Sequence, residues 1–262
     1  MVEPVPKSSG ELQTRAVIGV ALITLAVGAL VAGGFIFWML AALAGVLMQG
    51  EWADLAKAPD HDKRLSMFAI CVPLAIMAPL AAGPSYLAIG LLAGAFLFVT
   101  VTGQSPRLGA GVFYAGLPIL ALLFLRDRPD GLLLTFWALG LVWMTDIGAY
   151  FAGRSLGGPK LAPGISPSKT WSGLAGGVLA ALLFGFILHG WLGLPLPLAA
   201  ASGLLAIVAQ LGDLYESWLK RRAGVKDSGS LLPGHGGVLD RLDGVVSVAP
   251  VAALLVASGY FV

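Results

Sequence analysis

Residues 212–244 read GDLYESWLKRRAGVKDSGSLLPGHGGVLDRLDG. This charged stretch lies between two strongly apolar runs, and that contrast decides the fold. It holds ten of the thirty formal charges (16 Lys and Arg, 14 Asp and Glu) and one of the three His. Asp213 and Glu216 stand three residues apart, and so do Asp240 and Asp243. On helices each pair would share one face, and two such faces could hold a divalent metal between them. Between the pairs lie Lys220, Arg221, Arg222 and Lys226, then a run with Gly229, Pro233, Gly234, Gly236 and Gly237 that encloses His235. That run cannot be helical throughout, and paired glycines let backbone N–H groups approach a ligand, as in phosphate cradles. Acids for metal, bases for phosphate oxygens and a pliant backbone suggest chemistry on a polyphosphate.

A plainer reading makes the stretch a cytoplasmic loop between two spans, basic as such loops are, with its acids partnering its bases. It does not account for the acids. Asp213 closes a run without charge since Lys169, and Asp243 opens the last apolar run. Both then sit near bilayer depth, where an unpaired carboxylate is costly. Asp146, isolated near the end of another apolar run, is a functional candidate on the same ground.

Outward from this stretch the chain is apolar. Of 262 residues 58% are hydrophobic and 11% charged, against about 25% charged in an average soluble domain. The expectation is an all-α polytopic integral membrane protein with no soluble domain. A polar cytoplasmic tail over residues 1–15 precedes a single transmembrane catalytic domain over 16–262. The uncharged run 16–48 is too long for one span of ~20 residues and breaks at Gly33-Gly34 into two. Glu51 and Trp52 end it, and a polar loop follows to Arg64, in which His61 between two Asp reads as solvated. Spans three and four fall at 66–82 and 85–102, with Pro73 and Pro79 kinking the third rather than ending it. Further spans fall at 109–125, from 131, at 172–191, at 198–211 with a helical continuation to Arg222, and from Asp240 to the end, about nine in all. No removed signal peptide is expected, and the single Cys71 implies no disulfide.

With an odd number of spans, the tail and the loops near 53–65, 103–108, 153–171 and 212–240 share one side and hold 13 of the 16 basic residues. That side is cytoplasmic, and the C-terminus lies opposite.

Ser217, Lys220-Arg221, Lys226-Asp227, Gly229, Leu232-Pro233, His235-Gly236-Gly237, Asp240-Arg241 and Asp243 resemble the signature of the phosphatidate cytidylyltransferases, also called CDP-diacylglycerol synthases. Residues 153–171 resemble a second region of that family through Gly153-Arg154, Lys160-Leu161 and Ser166-Pro167-x-Lys169-Thr170-Trp171. Where many members of the family carry Lys and Glu, this chain has Ser168 and Ser172, which offer no charge.

The resemblance implies a nucleotidyltransferase of phospholipid biosynthesis in a bacterial-type plasma (inner) membrane. It would convert CTP and phosphatidate to CDP-diacylglycerol and pyrophosphate with Mg²⁺. Residues and resemblance together make Asp213, Asp240, Asp243, Asp146, Lys226 and His235 the catalytic candidates. Lys169, Ser217, Lys220, Arg221, Asp227, Gly236, Gly237 and Arg241 would bind substrate. Asp213, Glu216, Asp240 and Asp243 would hold metal. No nucleic acid partner is expected, and a homodimer is left open. A transporter or channel would also use intramembrane acids, but it has no need of a basic, Gly-rich loop. The pattern of a CDP-alcohol phosphotransferase fails after Asp243-Gly244, where Val245-Val246-Ser247-Val248 supplies no Arg.

Overall fold

Between Gly33 and Gly34, both with positive φ (63° and 48°), the chain turns sharply where the uncharged run was expected to break. This joins α1 (Ser9–Ala32) to α2 (Gly34–Leu55). The structure is a computed structural model and describes residues 9–231 and 236–259, with side chains from Ile18 onward. His235 and the first eight residues of the expected tail lie outside the described residues, and the remainder of that tail, from Ser9, is helical.

The described helices continue as α3 (Asp60–Ile76), α4 (Tyr86–Thr102), α5 (Pro106–Arg126), α6 (Gly131–Leu156), α7 (Trp171–Leu192), α8 (Leu196–Ala223) and α9 (Leu239–Ala257). The loop between α6 and α7 folds as an antiparallel hairpin of β1 (Lys160–Ala162) and β2 (Ser166–Thr170). This is the one departure from helix among the described elements. Five helices, α2, α5, α6, α7 and α8, are long and apolar enough to cross a membrane by length and composition.

Boundaries differ from the expected ones in three places. Glu51 and Trp52 lie inside α2, because Trp52 is buried and donates from Nε1 to the Arg107 carbonyl at 2.7 Å. α3 starts six residues earlier than expected, at Asp60, with Asp60 and Asp62 in its first turn where the helix dipole favours acids. Pro79 kinks nothing: α3 ends at Ile76, and Pro79 falls in the turns that follow. Pro73 does lie within the helix.

α5 occupies the centre and packs on α2, α3, α4, α6 and α9, while α6, α7, α8 and α9 pack in chain order. Helices in lipid approach closely where small residues face one another. A Cβ on Gly148 of α6 would come within 2.6 Å of the Gly176 carbonyl of α7, and one on Gly176 within 2.9 Å of the Gly148 carbonyl. Trp137 of α6, fully buried, donates to Ser202 Oγ of α8 at 2.9 Å. The outer faces carry large apolar side chains such as Leu97, Phe98, Leu179, Leu183, Phe186 and Trp191, the arrangement a lipid solvent favours. Two arginines close helix C-termini: Arg126 donates to the Leu30 carbonyl and Arg107 to that of Leu55, both at 2.9 Å.

Candidate active site

Thr170 ends β2 and caps α7, accepting from the Gly173 N–H at 3.1 Å. Ser172 donates to the Gly157 carbonyl and fastens the other end of the same loop. The hairpin is thereby held against the ends of α6 and α8, and Lys169 is carried inward. Its Nζ lies 2.5 Å from Asp213 Oδ2 and donates to Gln210 Oε1 at 3.0 Å. Gln210 and Asp213, three apart on α8, face it together.

A cavity of about 520 Å³ opens here, lined among others by Asp146, Arg154, Lys160, Lys169, Gln210 and Asp213. Arg154 is held by its own helix, donating to the Tyr150 hydroxyl at 2.7 Å. Asp146 and Asp213 line the same cavity, and Asp243 lies one turn into α9. Lys169 offsets part of the charge on Asp146. Carboxylates that repel across a partly dry space favour a cation between them.

A second network fixes the start of α9. Lys220 donates to Glu216 Oε1 at 3.1 Å and to Asp240 Oδ1 at 2.7 Å. Asp240 Oδ2 accepts from the backbone N–H groups of Ser228 and Gly237, each at 2.8 Å, and lies 3.0 Å from Ser228 Oγ. Glu51 reaches the same place from α2. It accepts from Val238 N–H at 2.7 Å through Oε1 and from Leu239 N–H at 2.8 Å through Oε2, with Ser228 Oγ 2.9 Å from Oε2. These amides are among the N–H groups that a helix start leaves without intrahelical partners. Ser228 has one hydroxyl proton and serves the two carboxylates in turn. A Cβ on Gly229 would stand 2.9 Å from Glu51 Oε1, and one on Gly236, whose φ is +79°, 2.7 Å from Asp240 Oδ2. Only glycine fits so close a wrap.

Of the expected site residues, the structure brings Asp146, Lys169 and Asp213 to the cavity, with Asp243 near. Ser217 donates to Asp213 Oδ1 at 3.3 Å. Glu216, Lys220, Gly237 and Asp240 belong to the network at α9, and Gly236 packs on it. Arg221 is exposed and donates to the Val225 carbonyl at 3.3 Å. Lys226, Asp227 and Arg241 are exposed as well, and His235 lies outside the described residues.

For metal, Asp240 is the least available of the four expected ligands, because its oxygens already engage Lys220, Ser228 and Gly237. Glu216 is fully buried, and its Oε2 meets no hydrogen-bond partner. That orphaned oxygen, with Asp213 and Asp243 nearby, fits a small divalent cation. Among the described residues no three His, Cys, Asp or Glu form a ready cage. Mg²⁺ ordinarily needs only one or two carboxylates and completes its shell with water and phosphate oxygens.

Glu51, Ser228, Gln210 and Tyr114 went unread in the sequence. Glu51 carried the same signal as Asp213, an acid closing an apolar run. The buried Tyr114 hydroxyl, without a hydrogen-bond partner, lies in the field of Glu216, Asp243 and Asp213, and no pattern in the sequence announced it.

Residues 13–258 match the model of the cytidylyltransferase family. A phosphatidate cytidylyltransferase of Brucella suis is 43% identical over 247 residues, covering 91% of this chain and 90% of the relative. One from Staphylococcus epidermidis is 33% identical over 262 residues, covering 93% and 98%. One from Bacillus subtilis is 49% identical over 130 residues, 48% of each chain.

Proposed function

The chain belongs to the cytidylyltransferase family, and on that premise we propose that it makes CDP-diacylglycerol at the cavity beneath Lys169. It is a membrane-embedded phosphatidate cytidylyltransferase of phospholipid biosynthesis. A phosphate oxygen of phosphatidate forms a bond to the α-phosphorus of CTP, and the bond from that phosphorus to the bridging oxygen of pyrophosphate breaks. Pyrophosphate leaves with the electron pair, and CDP-diacylglycerol stays in the membrane.

Both reactants are anions, so the site must first hold them together. The observation that carries the assignment is the Lys169–Asp213 pair, which sets a cation and a carboxylate side by side at the rim of a cavity also lined by Arg154 and Lys160. The three basic side chains bind phosphate oxygens and screen their charge. Asp213 and Gln210 take two of the three N–H donors of the Lys169 ammonium, leaving the third for a phosphate oxygen. One or two of Asp213, Asp243 and Glu216 would hold Mg²⁺, which would supply positive charge to the phosphates and the leaving group. Asp240 orders the start of α9 and so the place of Asp243. The basic end of the bundle faces the cytoplasm, where CTP is, and the nine described helices cross the membrane, α3 completing its crossing with the apolar residues after Ile76. α4, with 17 residues, reaches about 25 Å, so it relies on residues beyond its ends to complete its crossing.

Purified protein in mixed micelles should release pyrophosphate from CTP only when phosphatidate and Mg²⁺ are present. Stripping the cation with chelator should abolish turnover, and restoring Mg²⁺ should recover it. Full turnover after stripping would remove the metal from the account, and CTP-independent ion flux in proteoliposomes without pyrophosphate release would favour a transporter.

A further inference from the structure

Glu51 is 7% exposed, and it sits on α2, far in sequence from the residues it holds. Its carboxylate spans the N–H groups of Val238, which precedes α9, and of Leu239, which opens it, and also meets the hydroxyl of Ser228. Through Ser228 it meets Asp240, through Asp240 it meets Lys220, and through Lys220 it meets Glu216 on α8. A continuous line of polar contacts thus runs from α2 to Glu216 on α8, one turn from Asp213, which lines the reaction cavity. Along its length α9 packs on α8 and α5, and Ser247 donates to the Val208 carbonyl of α8 at 3.0 Å; its N-terminal end is where Glu51 takes hold. A charged acceptor at the helix end adds an axial restraint, because moving α9 along its axis would break both hydrogen bonds at once.

We propose that Glu51 is a positioning residue for cytidylyl transfer, fixing the axial place of α9 and with it Asp243 against Asp213 on α8. This rests on the reading given under Proposed function. Glu51 touches no substrate; it acts through α9. A displacement of about 1 Å at reacting groups costs on the order of 10²-fold in rate, so the loss belongs in kcat rather than in the binding of CTP.

The test compares the full-length wild type with Glu51→Gln, Glu51→Asp and the exposed control Asp54→Asn, whose carboxylate pairs with Lys63 at 2.6 Å away from the cavity. Four quantities are measured: kcat, KM for CTP, thermal midpoint in detergent, and hydrogen exchange at the Val238 and Leu239 amides. Glu51→Gln is expected to lower kcat by ~30-fold or more, to change KM for CTP by less than ~3-fold, and to speed exchange at both amides. Glu51→Asp, which keeps the charge, is expected to recover part of the rate. Wild-type kcat in Glu51→Gln overturns the proposal. So does a fall in activity that tracks only the folded fraction, with kcat per folded molecule unchanged. If the wild type itself releases no pyrophosphate, the reading under Proposed function fails instead, and the exchange arm still reports whether Glu51 holds α9.

Discussion

At the scale of single residues, the site is a set of charges whose partners decide their roles. Lys169 is shared between Asp213 and Gln210, so it cannot swing away as a solvated lysine would. Lys169→Ala should lower kcat/KM by ~10²-fold or more, the usual loss when one preorganised charge is removed. Lys169→Arg should fall in between, because a planar fork replaces a point charge against two acceptors placed for an ammonium. Asp213→Asn should match the alanine variant, since Lys169 then loses its anchor. Wild-type kinetics in Lys169→Ala, from a folded preparation, would take the lysine out of the site. Such partners were only half legible in the sequence. Asp213 and Glu216 were read as one pair and Asp240 and Asp243 as another, because a spacing of three puts each pair on one helix face. In the structure Glu216 and Asp240 meet instead, through Lys220, and Asp213 and Asp243 lie in each other's field. Residue spacing gives faces along one helix, while the pairing of faces between helices depends on a crossing that the spacing does not contain.

Among the elements, α6 and α7 form the tightest unit, and the cavity stands on it. Gly148 and Gly176 leave no room for a side chain between the two backbones. Gly176→Leu should therefore lower the thermal midpoint clearly and reduce activity with it, whereas Gly190→Leu on the same helix, where a Cβ would meet nothing within 4 Å, should leave both near wild type. Equal behaviour of the two variants in a detergent melt would show that the close crossing is not what holds α6 to α7. Most of these elements were foreseeable, since long apolar runs broken by Gly-Gly or Gly-Pro have few other readings. The hairpin of β1 and β2 was not. Its sequence, with Pro163, Gly164 and Pro167, reads as irregular loop. What orders it is the local cap that Thr170 makes on α7 together with the contact of Lys169 to Gln210 of α8, a residue distant in the chain. Helix ends were misplaced for a related reason: Glu51 and Trp52 stop an apolar pattern but continue a helix, because α5 and α9 supply partners for both.

On the scale of the whole molecule, apolar surface faces outward around the bundle, and polar chemistry gathers at one end. That end carries the hairpin, the C-terminus of α8 and the N-terminus of α9, and it contains most of the basic residues outside α5. The charge asymmetry was readable from the sequence, and by the positive-inside rule it is the ground for the proposed orientation with the basic side toward the cytoplasm. That proposed orientation would tie the reaction to topology, with phosphatidate arriving within the membrane and CTP from one side only. The most direct measurement supplies CTP, which does not cross the bilayer, to inside-out and to right-side-out vesicles carrying the protein and phosphatidate, and follows labelled CDP-diacylglycerol. Product should form at once in inside-out vesicles, and in right-side-out vesicles only after the bilayer is opened with detergent. Equal formation in both intact preparations, or formation in right-side-out vesicles alone, would contradict a cytidylyl-transfer site at the cytoplasmic end of the bundle.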